Sequence, residues 1–98
     1  MNFRFHPQAL AEFEDSVLYY ESQQAGLGER FASSIESAIE SIVARPALWP
    51  VLEAPVRRCL ARVFPYAVLY ANLPDHALIV AVMHCHKEPG YWRSWLGS

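Results

Sequence analysis

The sequence predicts an α+β domain whose elements follow the order β-α-α-β-β-β. Two segments of its first half place apolar residues at helical spacing, and three segments of its second half are rich in β-branched, aromatic and aliphatic residues. The 98 residues are 53% hydrophobic and only 18% charged, which excludes a disordered chain and allows one hydrophobic core. We therefore expect residues 1–98 to form a single domain.

A short strand at residues 2–5 is expected to lead into a helix hairpin. Pro7 suits the first turn of a helix, and an apolar stripe predicts that helix over residues 7–23: Leu10, Phe13, Val17 and Tyr20. A second stripe predicts a helix over residues 27–44 that ends before Pro46: Leu27, Phe31, Ile35, Ala38, Ile39 and Ile42. Because the turn between them is short, the helices should be antiparallel and lay one apolar side on a flat surface.

Residues 46–55 contain three prolines with apolar side chains between them, which predicts an ordered connector rather than a flexible linker. Three strands are predicted after it, over residues 56–63, 66–71 and 77–85. The Asn-Leu-Pro-Asp sequence at residues 72–75 supplies the turn between the last two strands. Together these strands should form an antiparallel meander.

The last predicted strand is apolar on both faces. Strict alternation divides its side chains into Leu78, Val80 and Val82 on one face and Ile79, Ala81 and Met83 on the other. The helix hairpin can cover only one of these faces. The other face needs a cover from Tyr91, Trp92 and Trp95, or from a second copy of the chain in a homo-oligomer.

Several protein classes are excluded by composition. No apolar run is long enough to span a membrane and no secretory signal is present, so we expect a cytoplasmic protein without a membrane partner. Cys59 and Cys85 lack the spacing of a zinc site or a disulfide scaffold, and both are expected to be buried thiols. Seven of the eight basic side chains are arginines, which are suited to contacts with phosphates or carboxylates.

Two segments resemble a known family: FPYAVLY at residues 64–70 and VMHCHKEPGYW at residues 82–92. With the HPQALAEFED start of the first helix and the Arg-rich strand, they are similar in order and spacing to the RelE/ParE superfamily. These proteins are the toxins of bacterial type II toxin–antitoxin systems, also called plasmid stabilization proteins. The resemblance implies a RelE-like fold, with the helix hairpin on one face of a small antiparallel sheet, and a cognate antitoxin that neutralises the toxin.

The resemblance leaves the toxic target open between DNA gyrase and messenger RNA on the ribosome. The RelE-like branch cleaves RNA without a metal, and its pattern implies a catalytic set of Arg58, His86, Lys87 and Tyr91 in this sequence. Two other cationic positions of that pattern fall on Leu60 and Ala67. A ParE-like gyrase inhibitor needs no catalysis, so we expect a non-enzymatic inhibitor, with the endonuclease and a non-toxic dimeric binding protein of the same fold as alternatives.

Further candidates are residues that could bind the antitoxin or the target: Arg57, Arg62, His84, Trp92 and Trp95. Strand alternation predicts Arg58 and Arg62 on one face, where they could bind an acidic partner or pair with glutamates of the helices. Likewise, His84 and His86 should share a face. No third ligand lies near them, so no metal site is expected, and no cofactor is implied.

Overall fold

The computed structural model describes residues 2–96, and the predicted α+β architecture is confirmed. Its elements are β1 (Asn2–Phe5), α1 (Pro7–Gln23), α2 (Leu27–Ala44), β2 (Val51–Glu53), β3 (Val56–Leu60), β4 (Tyr66–Asn72), β5 (His76–His84) and α3 (Arg93–Leu96). The sheet order is β1-β5-β4-β3-β2. Strand β1 pairs parallel to β5, whereas the other pairs are antiparallel, so the sheet is mixed and not purely antiparallel. No helix within this part of the chain is both long enough and apolar enough to cross a bilayer.

The helix hairpin has the predicted bounds, and Glu21 fixes its turn. The Glu21 carboxylate accepts hydrogen bonds from the backbone N–H groups of Gly26, at 3.0 and 3.1 Å, and Gly28, at 3.0 Å. These are donors that the start of α2 leaves unpaired. A side chain at Gly28 would place its Cβ 2.6 Å from the Val17 carbonyl oxygen, so the two helices cross where only glycine fits.

Helix α2 supplies most of the core on the hairpin side of the sheet. Its buried side chains pack on the sheet side chains that point the same way: Phe31, Ile35, Ala38, Ile39 and Ile42 against Cys59, Tyr66, Val68, Tyr70, Ala77, Ile79 and Val82. Helix α1 buries Ala9 completely, while Leu10 of the predicted stripe is exposed. The stripe of α1 is therefore shifted by one residue at its start.

A β-bulge in β5 breaks the predicted alternation. Leu69 pairs with Ala81 and Tyr70 pairs with Ile79, which leaves Val80 as an extra residue. As a result the side chains of Val80 and Ala81 both join the core on the far face, and Val82 joins the hairpin side. Strict alternation was therefore wrong for this strand, because it assumes a strand without a bulge.

The far face of the sheet is covered by the chain itself. Its buried cluster consists of Val56, Ala67, Leu69, Ala71, Val80, Ala81 and Trp92, with Tyr91 and Trp95 packed against it. Trp92 is only 3% exposed. The C-terminal aromatic residues thus provide the cover. The expected homo-oligomer depended on an exposed sheet face, and this face is not exposed.

Three local predictions differ from the structure. The connector contains a short strand, β2, because Val51 and Glu53 pair with β3. Strand β3 ends at Leu60 rather than at residue 63. Cys85 is exposed and not buried, because it lies one residue beyond the end of β5, whereas Cys59 is buried as expected.

Candidate functional site

Residues 85–96, called here the C-terminal segment, leave the end of β5 and fold back over the far face of the sheet. Backbone hydrogen bonds shape it, from the Lys87 N–H to the His84 carbonyl at 2.9 Å and from the Arg93 N–H to the Gly90 carbonyl at 3.0 Å. His6, which is far from this segment in sequence, also contacts it, because its Nε2 lies 3.0 Å from the Trp95 carbonyl oxygen. The segment carries three of the RelE-like candidate residues, His86, Lys87 and Tyr91, and it lies close to the end of β5 and to the start of α1.

Glu12 of α1 joins this segment to the sheet. Strand β1 ends at Phe5, so it cannot pair with the N–H of Val82 farther along β5. The Glu12 Oε1 accepts a hydrogen bond from that N–H at 2.8 Å, while Oε2 accepts one from the Tyr91 hydroxyl. Both partners are far away in sequence, by 70 and 79 positions. The sequence gives no sign of this role for Glu12, because helical periodicity only places it off the apolar stripe.

This contact changes the titration of both side chains. Burial raises the pKa of Glu12, although the Tyr91 and Val82 hydrogen bonds and the charge of Lys87 oppose the rise. Burial, and then the hydrogen bond to Glu12, raise the pKa of Tyr91 far above its ordinary value of 10.0. The Lys87 ammonium lies 4.7 Å from the centre of the Tyr91 ring. The Tyr91 hydroxyl therefore keeps its proton and donates a hydrogen bond to Glu12.

The structure brings together part of the predicted catalytic set. Arg58 and Lys87 line one cavity of about 260 Å³ under the C-terminal segment, with Leu52, Glu53, Met83, Cys85, Pro89, Gly90, Trp92 and Arg93. His86 is exposed and is not part of this lining. The two apolar positions of the pattern, Leu60 and Ala67, are partners across β3 and β4. Leu60 is 59% exposed and Ala67 is fully buried.

The two histidines contact each other although β5 ends between them. Their ring centres are 5.3 Å apart, and the backbone N–H of His86 donates to His84 Nδ1 at 3.0 Å. The His84 ring also meets the Tyr66 ring edge to face at 5.2 Å. Within residues 2–96, no three His, Cys, Asp or Glu side chains lie close enough together to hold a metal ion.

The three arginines of the predicted Arg-rich strand, Arg57, Arg58 and Arg62, contact different parts of the protein. Arg57 donates to the carbonyl oxygens of Ala47 and Trp49, at 3.2 and 2.7 Å, and so holds the connector. Arg62 lies past the end of β3 beside α2, where its carbonyl accepts from Ser34 Oγ at 2.5 Å. The prediction that Arg58 and Arg62 share a face was wrong, because they line separate cavities.

The pairing of these arginines with helix glutamates was also not found. In the described part of the chain, Arg93 pairs with Glu53, and His76 Nδ1 lies 2.7 Å from Asp75 Oδ1. The other two binding candidates, Trp92 and Trp95, both pack on the protein itself: Trp95 meets the Tyr91 ring at 5.2 Å.

Comparison with known proteins identifies the family. The family described as "ParE toxin of type II toxin-antitoxin system, parDE" matches residues 3–89. This chain belongs to the ParE toxin family. The membership confirms the RelE/ParE resemblance, on the ParE side of that superfamily. A search of curated proteins finds no match.

A solved structure shares the fold of this ParE-family chain. It comes from the "Chromosomal ParDE TA system from P. aeruginosa" and superposes with a TM-score of 0.63. The superposition covers 86% of this chain and 95% of the other, at 14% sequence identity. At that identity the likeness establishes the fold alone.

An open groove of this ParE-family chain runs along β1, an edge strand of the sheet. It has a volume of about 790 Å³ and lies between the four residues of β1 and the second half of α2. Its lining is apolar along the base and charged at the rim: Asn2, Phe3, Arg4, Phe5, Phe13, Glu36, Ile39, Glu40, Val43 and Ala44. The groove is separate from the cavity that holds Arg58 and Lys87.

Proposed function

We propose that this chain is the toxin of a type II toxin–antitoxin pair, that it stops growth by binding DNA gyrase, and that a cognate antitoxin neutralises it. One observation carries the choice of target. The two positions at which the RelE-like pattern has additional cations are Leu60 and the buried Ala67. A chain without these cations is better suited to binding than to cutting RNA.

The chemistry of RNA cleavage explains why their absence matters. Cleavage without a metal requires activation of the 2′-hydroxyl, protonation of the leaving oxygen and stabilisation of negative charge on the phosphorane. The hydroxyl of Tyr91, which would assist this chemistry, donates a hydrogen bond to Glu12 instead. His86 lies outside the cavity lined by Arg58 and Lys87. These placements support a toxin that acts by binding.

The groove along β1 supports an antitoxin partner. An edge strand exposes unpaired backbone N–H and C=O groups, and a peptide can add to such an edge as a further strand. Phe3, 43% exposed, offers an apolar contact beside this edge. We assign to this groove a segment of the antitoxin that is apolar on one side and carries charges complementary to Arg4, Glu36 and Glu40.

The target is tested by two assays with the same folded protein, gyrase supercoiling and cleavage of messenger RNA on translating ribosomes. Loss of supercoiling with intact RNA is the expected result. Normal supercoiling at saturating protein would contradict gyrase as the target. Growth that is unimpaired on induction of folded protein without the antitoxin would instead favour a non-toxic binding protein.

An endonuclease is the second candidate, and the shared cavity of Arg58 and Lys87 favours it. In that case Arg58→Ala, His86→Ala and Tyr91→Phe should each relieve toxicity in a protein that stays folded and still binds its antitoxin. Full toxicity in all three variants would reject this site. Arg45→Ala, on an exposed arginine at the end of α2, is the matched control.

The groove is tested separately by its own variant. Phe3→Asp places a charge beside the β1 edge and should prevent rescue by the antitoxin while toxicity remains. Leu18→Asp is the control, because Leu18 is 68% exposed on α1 and lies outside the groove lining. Equal rescue of both variants in co-expression would show that the antitoxin binds elsewhere.

A further inference from the structure

His6 joins the start of the chain to the end of the C-terminal segment. It lies between β1 and α1, and its backbone N–H donates to the Ile79 carbonyl of β5 at 2.9 Å. Its half-buried ring stacks on the ring of Trp95 in α3, with the ring centres 6.1 Å apart. The proposed function assigns no role to this contact.

The partners of His6 determine which of its ring nitrogens carries the hydrogen. Nδ1 accepts the backbone N–H of Gln8 at 3.1 Å, so it has no hydrogen, and His6 is the N-cap of α1. Nε2 lies 3.0 Å from the Trp95 carbonyl oxygen, which can only accept, so Nε2 carries the hydrogen. One neutral tautomer therefore caps α1 and holds α3 at the same time.

A second proton on this ring would break both contacts. In an imidazolium both nitrogens are donors, so Nδ1–H would point at the N–H of Gln8. Rotation of the ring away from Gln8 would also move Nε2 away from the Trp95 carbonyl, because both nitrogens belong to one rigid ring. We infer that His6 is a pH-sensitive latch, which holds the C-terminal segment while its ring is neutral and releases the segment when the ring is doubly protonated.

The groups closest to the His6 ring do not favour a positive charge on it. His6 forms no ion pair within residues 2–96. The first turn of α1 contains no acid, so no side chain of that turn offsets the positive end of the helix dipole. The Trp95 ring, at 6.1 Å, lies at the outer limit of a cation–π contact.

The other charged side chains of the elements that contact His6 are engaged elsewhere, exposed or positive. The acids are Glu12, Glu14, Asp15 and Glu21 on α1 and Glu88 in the C-terminal segment, and the cations are Arg4, Lys87 and Arg93. Glu12 is bound by Val82 and Tyr91, Glu21 is bound in the hairpin turn, and the other three acids are exposed. The cations cannot offset a positive ring.

Two other groups beside the C-terminal segment also titrate in mild acid. Burial raises the pKa of Glu12, so its contribution to stability grows as pH falls, in the sense opposite to the latch. His84 lies at the other end of the segment, where its Nδ1 accepts the His86 N–H at 3.0 Å. A loosening of α3 in mild acid therefore excludes Glu12 as the cause, and a variant must separate His6 from His84.

The tautomer of His6 is tested first, by long-range nitrogen–proton NMR of the histidine rings near neutral pH. His6→Asn identifies the signals of this ring, because they disappear from its spectrum. The expected result is a hydrogen on Nε2 and none on Nδ1. A hydrogen on Nδ1 would overturn the proposal, since that ring could not cap α1.

Amide hydrogen exchange then measures the latch itself. The N–H of Gln8 reports the cap, and the N–H of Trp95, which donates to the Trp92 carbonyl at 3.0 Å, reports α3. Protection at each pH is calculated relative to an unstructured peptide of the same sequence. Between about pH 7.5 and pH 5.5 both amides should lose protection together, by about fivefold, the factor expected for the loss of one helix cap.

His6→Asn separates the latch from a general effect of acid. Asn is a good N-cap and does not titrate, so Gln8 should keep its protection at both pH values. The shorter side chain loses the contact with Trp95, so Trp95 should be less protected than in the parent near neutral pH and show no pH step. His84→Gln is the matched control and should keep the pH step at both amides.

The proposal is overturned if His6→Asn keeps the pH step at Trp95, or if Gln8 loses protection in acid while Trp95 does not. Loss of the step in His84→Gln would also contradict it, because the responding group would then be His84. All of these measurements use the protein alone. Their outcome is therefore independent of gyrase, RNA cleavage and the antitoxin.

Discussion

The two faces of the sheet are covered in different ways. The hairpin face is packed by two long helices, whose buried side chains form a continuous apolar core. The far face is covered by a short segment with one fully buried ring, that of Trp92, and a few polar anchors: Tyr91 on Glu12, Arg93 on Glu53, and the Trp95 carbonyl on His6. On the hairpin face, many contacts should therefore share the contribution to the free energy of unfolding. On the far face, that contribution should depend on a few single contacts.

This difference matters because the candidate site lies on the second face. A segment held by a few anchors can open locally at a lower free energy than the whole domain unfolds. On the hairpin face, by contrast, the Phe31 ring alone meets four other rings, those of Phe13, Tyr20, Phe64 and Tyr66. The C-terminal segment could thus move without loss of the fold.

The largest effect is expected on the hairpin face. Phe31 is fully buried, with its ring centre 4.7 Å from that of Tyr66 and 4.9 Å from that of Tyr20. Phe31→Ala should lower the free energy of unfolding by about 3–5 kcal/mol in urea titrations. Leu18→Ala, at an exposed position of α1, should change it by less than about 0.5 kcal/mol. Similar losses in both variants would contradict a core centred on Phe31.

A smaller effect is expected from the anchor at Glu12. Glu12→Ala leaves the Val82 N–H and the Tyr91 hydroxyl without their acceptor, which should cost about 1–3 kcal/mol. Amide hydrogen exchange in α3 should accelerate more than exchange in α2. Glu14→Ala, on an exposed glutamate of the same helix, is the control. Unchanged exchange in α3 would show that Glu12 does not hold the C-terminal segment.

The pH dependence of stability should distinguish Glu12 from exposed acids. Its pKa is raised above 4.5, so the folded state binds this proton more tightly than the unfolded state. The contribution of Glu12 to stability is therefore full below pH 4.5 and is lost as pH rises through the folded pKa. The unfolding free energy of the parent minus that of Glu12→Gln should fall over this range. A difference that rises with pH would mean that burial does not dominate at Glu12.

Glu53 and Asp75 should act in the opposite sense, at lower pH. Arg93 lowers the pKa of Glu53, and His76 lowers that of Asp75. Their contributions are present above their ordinary values of 4.5 and 3.8 and are lost as pH falls through the folded pKa values. They are the same in the parent and in Glu12→Gln, so they cancel in the difference.

The smallest effect is expected at the exposed anchor between Arg93 and Glu53. Exposed ion pairs contribute little to global stability, even with bidentate geometry. Arg93→Ala should leave the urea midpoint unchanged within error and accelerate hydrogen exchange in α3 alone. A clear shift of the midpoint would show that this pair stabilises the whole fold.

The sequence predicted most accurately what depends on local spacing. Helices α1 and α2 begin and end at the predicted residues, because the apolar period, Pro7 and the glycines of the turn are all local signals. Strand β2, the bulge at Val80 and the end of β3 depend on which strands pair, and no local pattern encodes this.

The candidate site was predictable only in part, for the same reason. The family resemblance pointed to Arg58 and Lys87, which do share a cavity. Glu12 was missed, because its role depends on contacts between distant parts of the chain. The structure adds it by bringing α1 and the C-terminal segment together.

The pairing of the first strand with the last has a consequence during translation. Phe5 pairs with Ile79, so β1 leaves the ribosome long before its partner β5 has been made. At about 5–20 residues per second, the wait lasts several seconds. The apolar side of the hairpin is uncovered for the later part of this interval, because the hairpin ends at Ala44 and the strands it packs on are synthesised after it. The nascent chain is thus open to chaperones until almost the whole sheet has emerged.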